Sequence, residues 1–519
     1  MSKLSAVFLL IVALFCLVSC GGSGSYSSLT TTPAAVPVTM SVQDSPPVGV
    51  TVLSFEVQIT SAALQPTNTA NPVVPLIAKP MDVELEHLQS EPALLGSLNV
   101  PAGTYNGVSV SFANPRMVIL NSSGASLALP DGSACAANTA CKLTPPLNST
   151  TVTVNSPTAP FPITLVSNSP LGLLLHFDVN SSVQTDLSVT PTIDLKEILP
   201  NAGVIHQEHL TGTIEDVSMP PYFTLQPGLG APTPVASTSN LPPTFQIKTD
   251  SNTKYLFADT LQAPPCTSNS FSCLSVGQTV NVTVNVMSDG SLLATLVTLF
   301  EQVNEPAFEG TVLKVVPTQN QFVIALLGGQ WGTGASPAAA TAIGVVVTVT
   351  VTSSTVYEID SDGFTIPAGL VFNGIADMIP GQTVEVQALP TAVAASSAAN
   401  PLPLTTKRVR LDETQLTAKV TSIDTTSTPP TSFVIGMNNT LPPLFAPATS
   451  IKVQTVTGQT QFQNVSGVSG LSVGDTVSVG GLLFNTGTTP TLLGEKVLKR
   501  IMCSATASGA TTITVPCVM

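Results

Sequence analysis

From Val38 the chain alternates apolar and polar residues with a period of two, the pattern of a strand with one buried face. Val38-Thr39-Met40-Ser41-Val42 is the first such run, and Asp44-Ser45-Pro46-Pro47 breaks it. Val50 to Ala63 alternates again. Further strand-like runs are Val83-Glu84-Leu85, Gly107 to Phe112, Met117 to Leu120, Thr150 to Val154, Pro162 to Val166 and Leu171 to Val179. Turn clusters such as Pro101-Ala102-Gly103-Thr104 and Asp131-Gly132-Ser133 separate them. About eight short strands at this spacing predict a β-sandwich over residues 38–200.

Beyond the connector Asn201-Ala202-Gly203 the pattern repeats itself. Leu210-Thr211-Gly212-Thr213-Ile214, Phe308-Glu309-Gly310-Thr311-Val312 and Leu416-Thr417-Ala418-Lys419-Val420 open three units. Each then carries an aromatic-centred strand around Phe223, Phe322 or Phe433, and a Thr two places before an aromatic: Thr253/Tyr255, Thr355/Tyr357, Thr460/Phe462. Gly277-Gln278-Thr279-Val280, Gly381-Gln382-Thr383-Val384 and Gly474-Asp475-Thr476-Val477 follow, and a closing strand ends each unit: Leu292 to Leu299, Thr405 to Leu411 and Leu492 to Leu498. A period of roughly 100 residues is too long for a solenoid rung and fits separate small domains. The Gly of each Gly-x-Thr-Val is expected at positive φ in a turn. About five strands per unit predict small OB-like β-barrels. The expected fold class is all-β: a sandwich over 38–200, then barrels over 207–302, 305–412 and 415–501, and a clipped tail over 502–519.

Composition supports that class. Charged residues make up 9% of the 519 residues, and 44 Pro with 36 Gly punctuate the short runs. The net charge of −14, with 16 Lys+Arg against 30 Asp+Glu and no basic stripe, argues against nucleic acid as a partner. The repeated aromatics read as core residues.

The first twenty residues decide location. Lys3 precedes an apolar run from Leu4 to Cys16, too short for a spanning helix and suited to an export signal. Leu17-Val18-Ser19-Cys20 resembles the lipobox of bacterial lipoproteins. That resemblance implies cleavage after residue 19, diacylglycerol on the Cys20 thiol and a third acyl chain on the new amino group. An ordinary secretory signal that happens to contain Cys is the alternative. Residues 20–37 read as the lipidated Cys and a Ser/Gly/Thr/Pro tether. Gly21 stands where the family's inner-membrane retention signal places Asp, so the resemblance favours an outer-membrane anchor.

Two further resemblances follow from internal motifs. Asp44-Ser45-Pro46, Leu98-Asn99-Val100-Pro101-Ala102-Gly103-Thr104-Tyr105, and Leu175-His176-Phe177-Asp178 before Pro191-Thr192-Ile193 resemble a domain of unknown function at the N-terminus of exported bacterial lipoproteins. The three later units are similar to a second exported domain of unknown function, often in tandem behind the first. Neither brings an activity with it.

After Cys16 and Cys20, six Cys remain in three close pairs: Cys135/Cys141, Cys266/Cys273 and Cys503/Cys517. Local disulfides in an oxidising compartment are the simplest reading. Zinc is disfavoured because no His lies near any pair and CxxC spacing is absent.

The remaining residues give no catalytic signature. His206 and His209 flank Gln207-Glu208; three apart on a strand, they face opposite sides, and the pattern is not HExxH. His176, beside Asp178 in an apolar run, reads as a packed residue. Asp360-Ser361-Asp362-Gly363 is similar to the start of a calcium loop but lacks its later acidic ligand. Glu84, Glu86 and Glu91 read as a solvated face. Trp331, in a Gly-rich insertion, reads as loop packing, with a sugar or protein contact as the alternative. No GxSxG, P-loop or GxGxxG occurs. The expectation is a non-enzymatic, lipid-anchored envelope protein acting as scaffold or interaction module, without metal or cofactor. Its expected partners are the membrane, through the anchor, and a protein or glycan at the surface. A carbohydrate-binding or adhesive protein is the alternative, and an envelope enzyme with a scattered site the third.

Overall fold

The computed structural model describes residues 35–517 except 46–51, 89–91, 122–124, 138, 159, 168–170, 199–202, 228–232, 235–243, 258–269, 302–306, 331–344, 362, 389–402, 437–443, 445–447 and 508–510. The fold is all-β, and the chain from Ala35 onward forms one compact unit.

Two sheets make the N-terminal sandwich. The smaller has the strand order Ile193–Ile198, Leu171–Asp178, Ala35–Ser45, Ala93–Pro101. Its centre is Leu171–Asp178, parallel to Ala35–Ser45 and buried along its whole length. A strand covered on both faces reads as a near-continuous apolar run, which explains Leu171-Gly172-Leu173-Leu174-Leu175. The larger sheet is built on Val52–Pro66 and Gly103–Leu120. The sheets meet where Phe177 stands edge-on to Phe55 and Phe112, with ring centroids 5.9 and 5.4 Å apart. Gly107–Phe112 and Met117–Leu120, expected as two strands, are one. Asn114 takes φ 49° and Pro115 withholds an N–H, and the pairing shifts between Glu56/Arg116 and Gln58/Ala113. The break in alternation is thus a β-bulge, which lets the long strand bend without ending.

Each later unit closes five strands into a ring. In the first barrel these are Val204–Met219, Tyr222–Pro227, Phe245–Lys248, Thr279–Met287 and Leu292–Glu301. They pair in the order 1-2-3-5-4-1, with strand 3 parallel to strand 5. The second barrel uses Ala307–Val316, Gln321–Gln330, Val346–Thr350, Thr383–Ala388 and the first half of Pro403–Asp424 in the same order. The third uses the second half of Pro403–Asp424, then Ser432–Gly436, Ser450–Thr455, Thr476–Phe484 and Thr491–Ala507. One strand therefore closes the second barrel and opens the third, so no flexible linker divides them. Each ring closes through the parallel pairing of its third and fifth strands.

The shared sequence landmarks do the same structural work in all three barrels. Gly277, Gly381 and Gly474 have φ of 83°, 90° and 96°. Their N–H groups each donate, at 2.8 Å, to a first-strand carbonyl: Ile214, Val312 and Val420. The hydroxyls of Thr253, Thr355 and Thr460 donate to fifth-strand carbonyls of Ala294, Thr406 and Gly494 at 2.7, 2.9 and 2.8 Å. Phe223, Phe322 and Phe433 are buried in the three cores, so they offer no stacking platform to bases.

Candidate functional site

Cys20 and its tether lie outside the described residues. Cys135 and Cys141 form a disulfide with Cα atoms 5.8 Å apart, tying two short strands of the sandwich. Cys273 is disulfide-bonded as well, and Cys266 falls outside the described residues. The tail is a hairpin of Thr491–Ala507 with Thr511–Cys517, its register setting Cys503 opposite Val515 and Cys517 opposite Ile501; the two Cys side chains lie outside the description.

The structure separates most of the candidates named from sequence. On Val204–Met219, His206 pairs with Val286 and His209 with Thr283, three residues apart along one strand. The side chains of His206 and Glu208 lie outside the description, as do Glu91, Asp362 and Trp331. Asp360 turns to Arg410, its Oδ2 3.5 Å from Nε. Asp178 caps one helical turn, Val179–Ser182, accepting from the Ser181 N–H at 3.0 Å and its hydroxyl at 2.6 Å. Glu84 corrects the solvated-face expectation: it is 1% exposed, and its carboxylate accepts the Phe55 N–H at 2.7 Å. Among the described residues no group of three or more His, Cys, Asp or Glu is placed to hold a metal.

What the structure gathers instead is a row of charges across the second barrel. Strand register sets Glu309 opposite Glu385, Glu385 opposite Arg410, and Arg410 opposite Glu358. Val384, Val386, Val409 and Leu411 point into the barrel core, so their alternating neighbours Glu385, Gln387, Arg408 and Arg410 point outward. That outward face is nonetheless buried, with Arg410 1% exposed. Arg410 Nη2 donates to Glu385 Oε2 at 2.7 Å, and Arg408 Nη1 lies 3.6 Å from Glu358 Oε2. Burial alone would depress the Arg410 pKa; Glu385, Asp360, Asp412 and Glu358 outweigh it and hold the guanidinium charged. Burial, reinforced by the Glu385 carboxylate, pushes Glu309 up to about 7 against the pull of Arg410. Burial and Glu309 raise Asp412 likewise, so both acids hold protons close to neutrality. The row is a compensated ion network able to store protons. The available sequence signal was Lys407-Arg408-Val409-Arg410-Leu411-Asp412-Glu413, where charges fill five of seven positions.

Other polar groups hold modules together. Gln382 accepts the Ile379 N–H at 2.7 Å through Oε1 and donates through Nε2 to the Leu483 carbonyl of the third barrel at 2.8 Å. Leu482, Phe484 and Leu493 of the third barrel join the apolar cluster of the second. Leu53 and Val118 of the sandwich join that of the third.

Residues 35–194 match the family described as domain of unknown function (DUF4382). Residues 211–298, most of the first barrel, match domain of unknown function (DUF5666). No curated protein and no solved structure matches the chain. The DUF4382 match contains the sandwich with its Cys135–Cys141 disulfide and His176. The DUF5666 match contains Gly277, Thr253 and Phe223, the landmarks that the second and third barrels share in structure.

Proposed function

We propose that this protein is an exported, lipid-anchored scaffold or interaction protein of the cell envelope, held to the outer membrane through acylated Cys20, and that it is not an enzyme. The observation that carries this reading is where its chemically capable side chains lie. Glu385, Arg408, Arg410, Gln382 and Glu84 are buried in ion pairs or hydrogen bonds that fasten strands and modules. Such use of charge fastens strands and modules to one another, which suits a spacer or binding platform. The Cys135–Cys141 disulfide supports an oxidising compartment. The Leu17-Val18-Ser19-Cys20 motif and the Gly at position 21 support the anchor and its membrane.

The anchor is tested by growing producing cells with an alkyne fatty acid and detecting label on the full-length protein. Wild type is expected to take up label and fractionate with outer membrane; Cys20→Ala is expected to do neither. Unlabelled wild type in the soluble fraction overturns the anchored reading. The role is tested by cross-linking intact cells and, in parallel, probing glycan arrays with the soluble fragment from Ser25 onward. A reproducible protein partner supports the scaffold; specific glycan retention moves the assignment to a carbohydrate-binding surface protein.

A further inference from the structure

The larger sheet of the sandwich ends on a strand that the sandwich does not supply. Met81–Glu84 pairs along its inner side with residues 56–59 of Val52–Pro66. Along its outer side it pairs with Thr233–Pro234, two residues from the connection between the second and third strands of the first barrel. The pairing is antiparallel, with Thr233 opposite Asp82 and Pro234 opposite Met81. Pro234 has no N–H to give, so the pair that exchanges hydrogen bonds is Thr233 with Asp82. The inner side agrees: the Leu85 N–H donates to the Phe55 carbonyl at 2.8 Å, and alternation then turns the backbone groups of Asp82 outward. Met81 and Val83 belong to the sandwich core, so the Asp82 side chain lies on the other face of the sheet.

A two-residue strand is a weak cover for a sheet edge. One mutual pair holds it, and the connection that carries it, residues 228–244, contains no charged side chain. An edge strand is a template for any extended chain that brings N–H and C=O groups into register. The register also says what such a chain needs. It must offer both backbone groups opposite Asp82, and it can dispense with an N–H opposite Met81, where proline already sits. Asp82 is half-buried, and burial pushes its carboxyl up. The Gln58 amide donates to its Oδ1 at 3.1 Å. Directly opposite such a carboxylate a neutral or basic residue is favoured and an acidic one is not.

We propose that the outer edge of Met81–Glu84 is a strand-acceptor site, filled in this chain by its own Thr233–Pro234, and that it takes in their place an extended partner segment that is neutral or basic opposite Asp82. Thr233–Pro234 is then a resident strand that keeps the edge closed until a better one displaces it. The site gives the interaction role proposed above a surface. It rests on that reading only for the existence of a natural partner, and a synthetic peptide tests it without one.

Hydrogen exchange and fluorescence polarisation on the full-length protein decide it. The probe is a labelled peptide with the sequence of residues 230–236, Gly-Ala-Pro-Thr-Pro-Val-Ala. Thr233→Pro removes the N–H of the resident strand. In this variant the Asp82 amide is expected to lose protection, while the Val83 amide, turned toward Val52–Pro66, keeps it. The peptide is expected to bind the variant at least about tenfold more tightly than wild type, the worth of one net backbone hydrogen bond, and to restore the lost protection. A peptide with Lys in place of its Thr is expected to bind up to about fivefold more tightly, and one with Asp to bind more weakly by as much. Should Thr233→Pro fold poorly, replacing residues 230–236 by Gly-Ser repeats frees the edge without touching a strand of the barrel ring, and the same outcomes are expected. Equal protection of the Asp82 amide in wild type and both variants overturns the resident strand. A freed edge that binds no peptide, a peptide that binds wild type equally well, or binding indifferent to Lys and Asp overturns the acceptor site.

Discussion

The second and third barrels have the same ring of strands and opposite chemistry on one outer row. In the second barrel the row across strands runs Glu309, Glu385, Arg410, Glu358. The equivalent row of the third runs Thr417, Ser478, Leu498, Gln463. In the first it is Thr211, Asn281, Thr298, Leu256. The inward residues hardly change: Val297, Val409 and Val497 occupy one position, beneath Tyr255, Tyr357 and Phe462. The barrel is specified from inside, by valines and by glycines at turns, and the outer row is left free to suit what each barrel packs against. In the third barrel Ser478 holds Arg500 against the sandwich; in the second the row holds its own ions.

The sharpest test replaces equivalent residues by the same side chain. Arg410→Met removes the buried cation that Glu385, Asp360, Asp412 and Glu358 surround. Losing one partner of such a network costs about 3–5 kcal/mol, because the other charges remain uncompensated. Leu498→Met, at the matching position of the third barrel, exchanges one apolar side chain for another of similar volume and costs less than about 1.5 kcal/mol. Denaturant unfolding of the two full-length variants measures both. Equal losses would mean that the charged row is solvated and that the outer rows of the two barrels are energetically alike.

A smaller effect, of opposite sign, comes from Glu309. Its carboxyl ionises at about 7 in the folded protein against an ordinary 4.5. Between those values the folded chain holds a proton that the unfolded chain has released. Stability contributed here is therefore greatest at low pH, falls as pH rises through the window and levels off above it. Glu309→Gln removes the titration, so the variant is expected to exceed wild type by about 1–3 kcal/mol at pH 8 and to gain nothing below pH 4.5. Thr417→Val, its counterpart in the third barrel, carries no charge and is expected to show no such pH-dependent difference. Parallel stability profiles for Glu309→Gln and wild type would sink the claim that the second barrel stores protons.

The contrast also separates what local sequence can tell from what it cannot. Period-two alternation marks a strand and its inward face wherever one side is wet, and glycine marks a turn wherever φ must be positive, so Val280, Val384, Gly277 and Gly381 were legible. Thr405 to Leu411 and Leu416 to Val420 read as two strands of two units, and what local sequence does not tell is that they run on as one, Pro403–Asp424, whose charges find partners on strands distant in sequence. Asn114-Pro115 likewise reads as a turn, since a bulge interrupts alternation in the same way. The joint of His176 with Arg500 leaves no trace in periodicity, because strand patterns record which face is buried and not what buries it. Glu84 was misjudged for the same reason: its partner is a backbone N–H supplied by a neighbouring strand.

The smallest effects should be the most uniform. Thr253, Thr355 and Thr460 each accept one backbone N–H, from Asp250, Thr352 and Val456, and each donate to a fifth-strand carbonyl. Valine keeps their shape and β-branching but can make neither bond, leaving an N–H of the turn and a carbonyl of the fifth strand without their hydroxyl partner. Each Thr→Val substitution is expected to cost about 1–2 kcal/mol. The cost should be nearly the same in all three barrels, although their outer rows differ in charge. If the three values scatter as widely as Arg410→Met and Leu498→Met are expected to, the common inner frame is not an energetic unit. The barrels would then share a path of the chain without sharing the reasons for it.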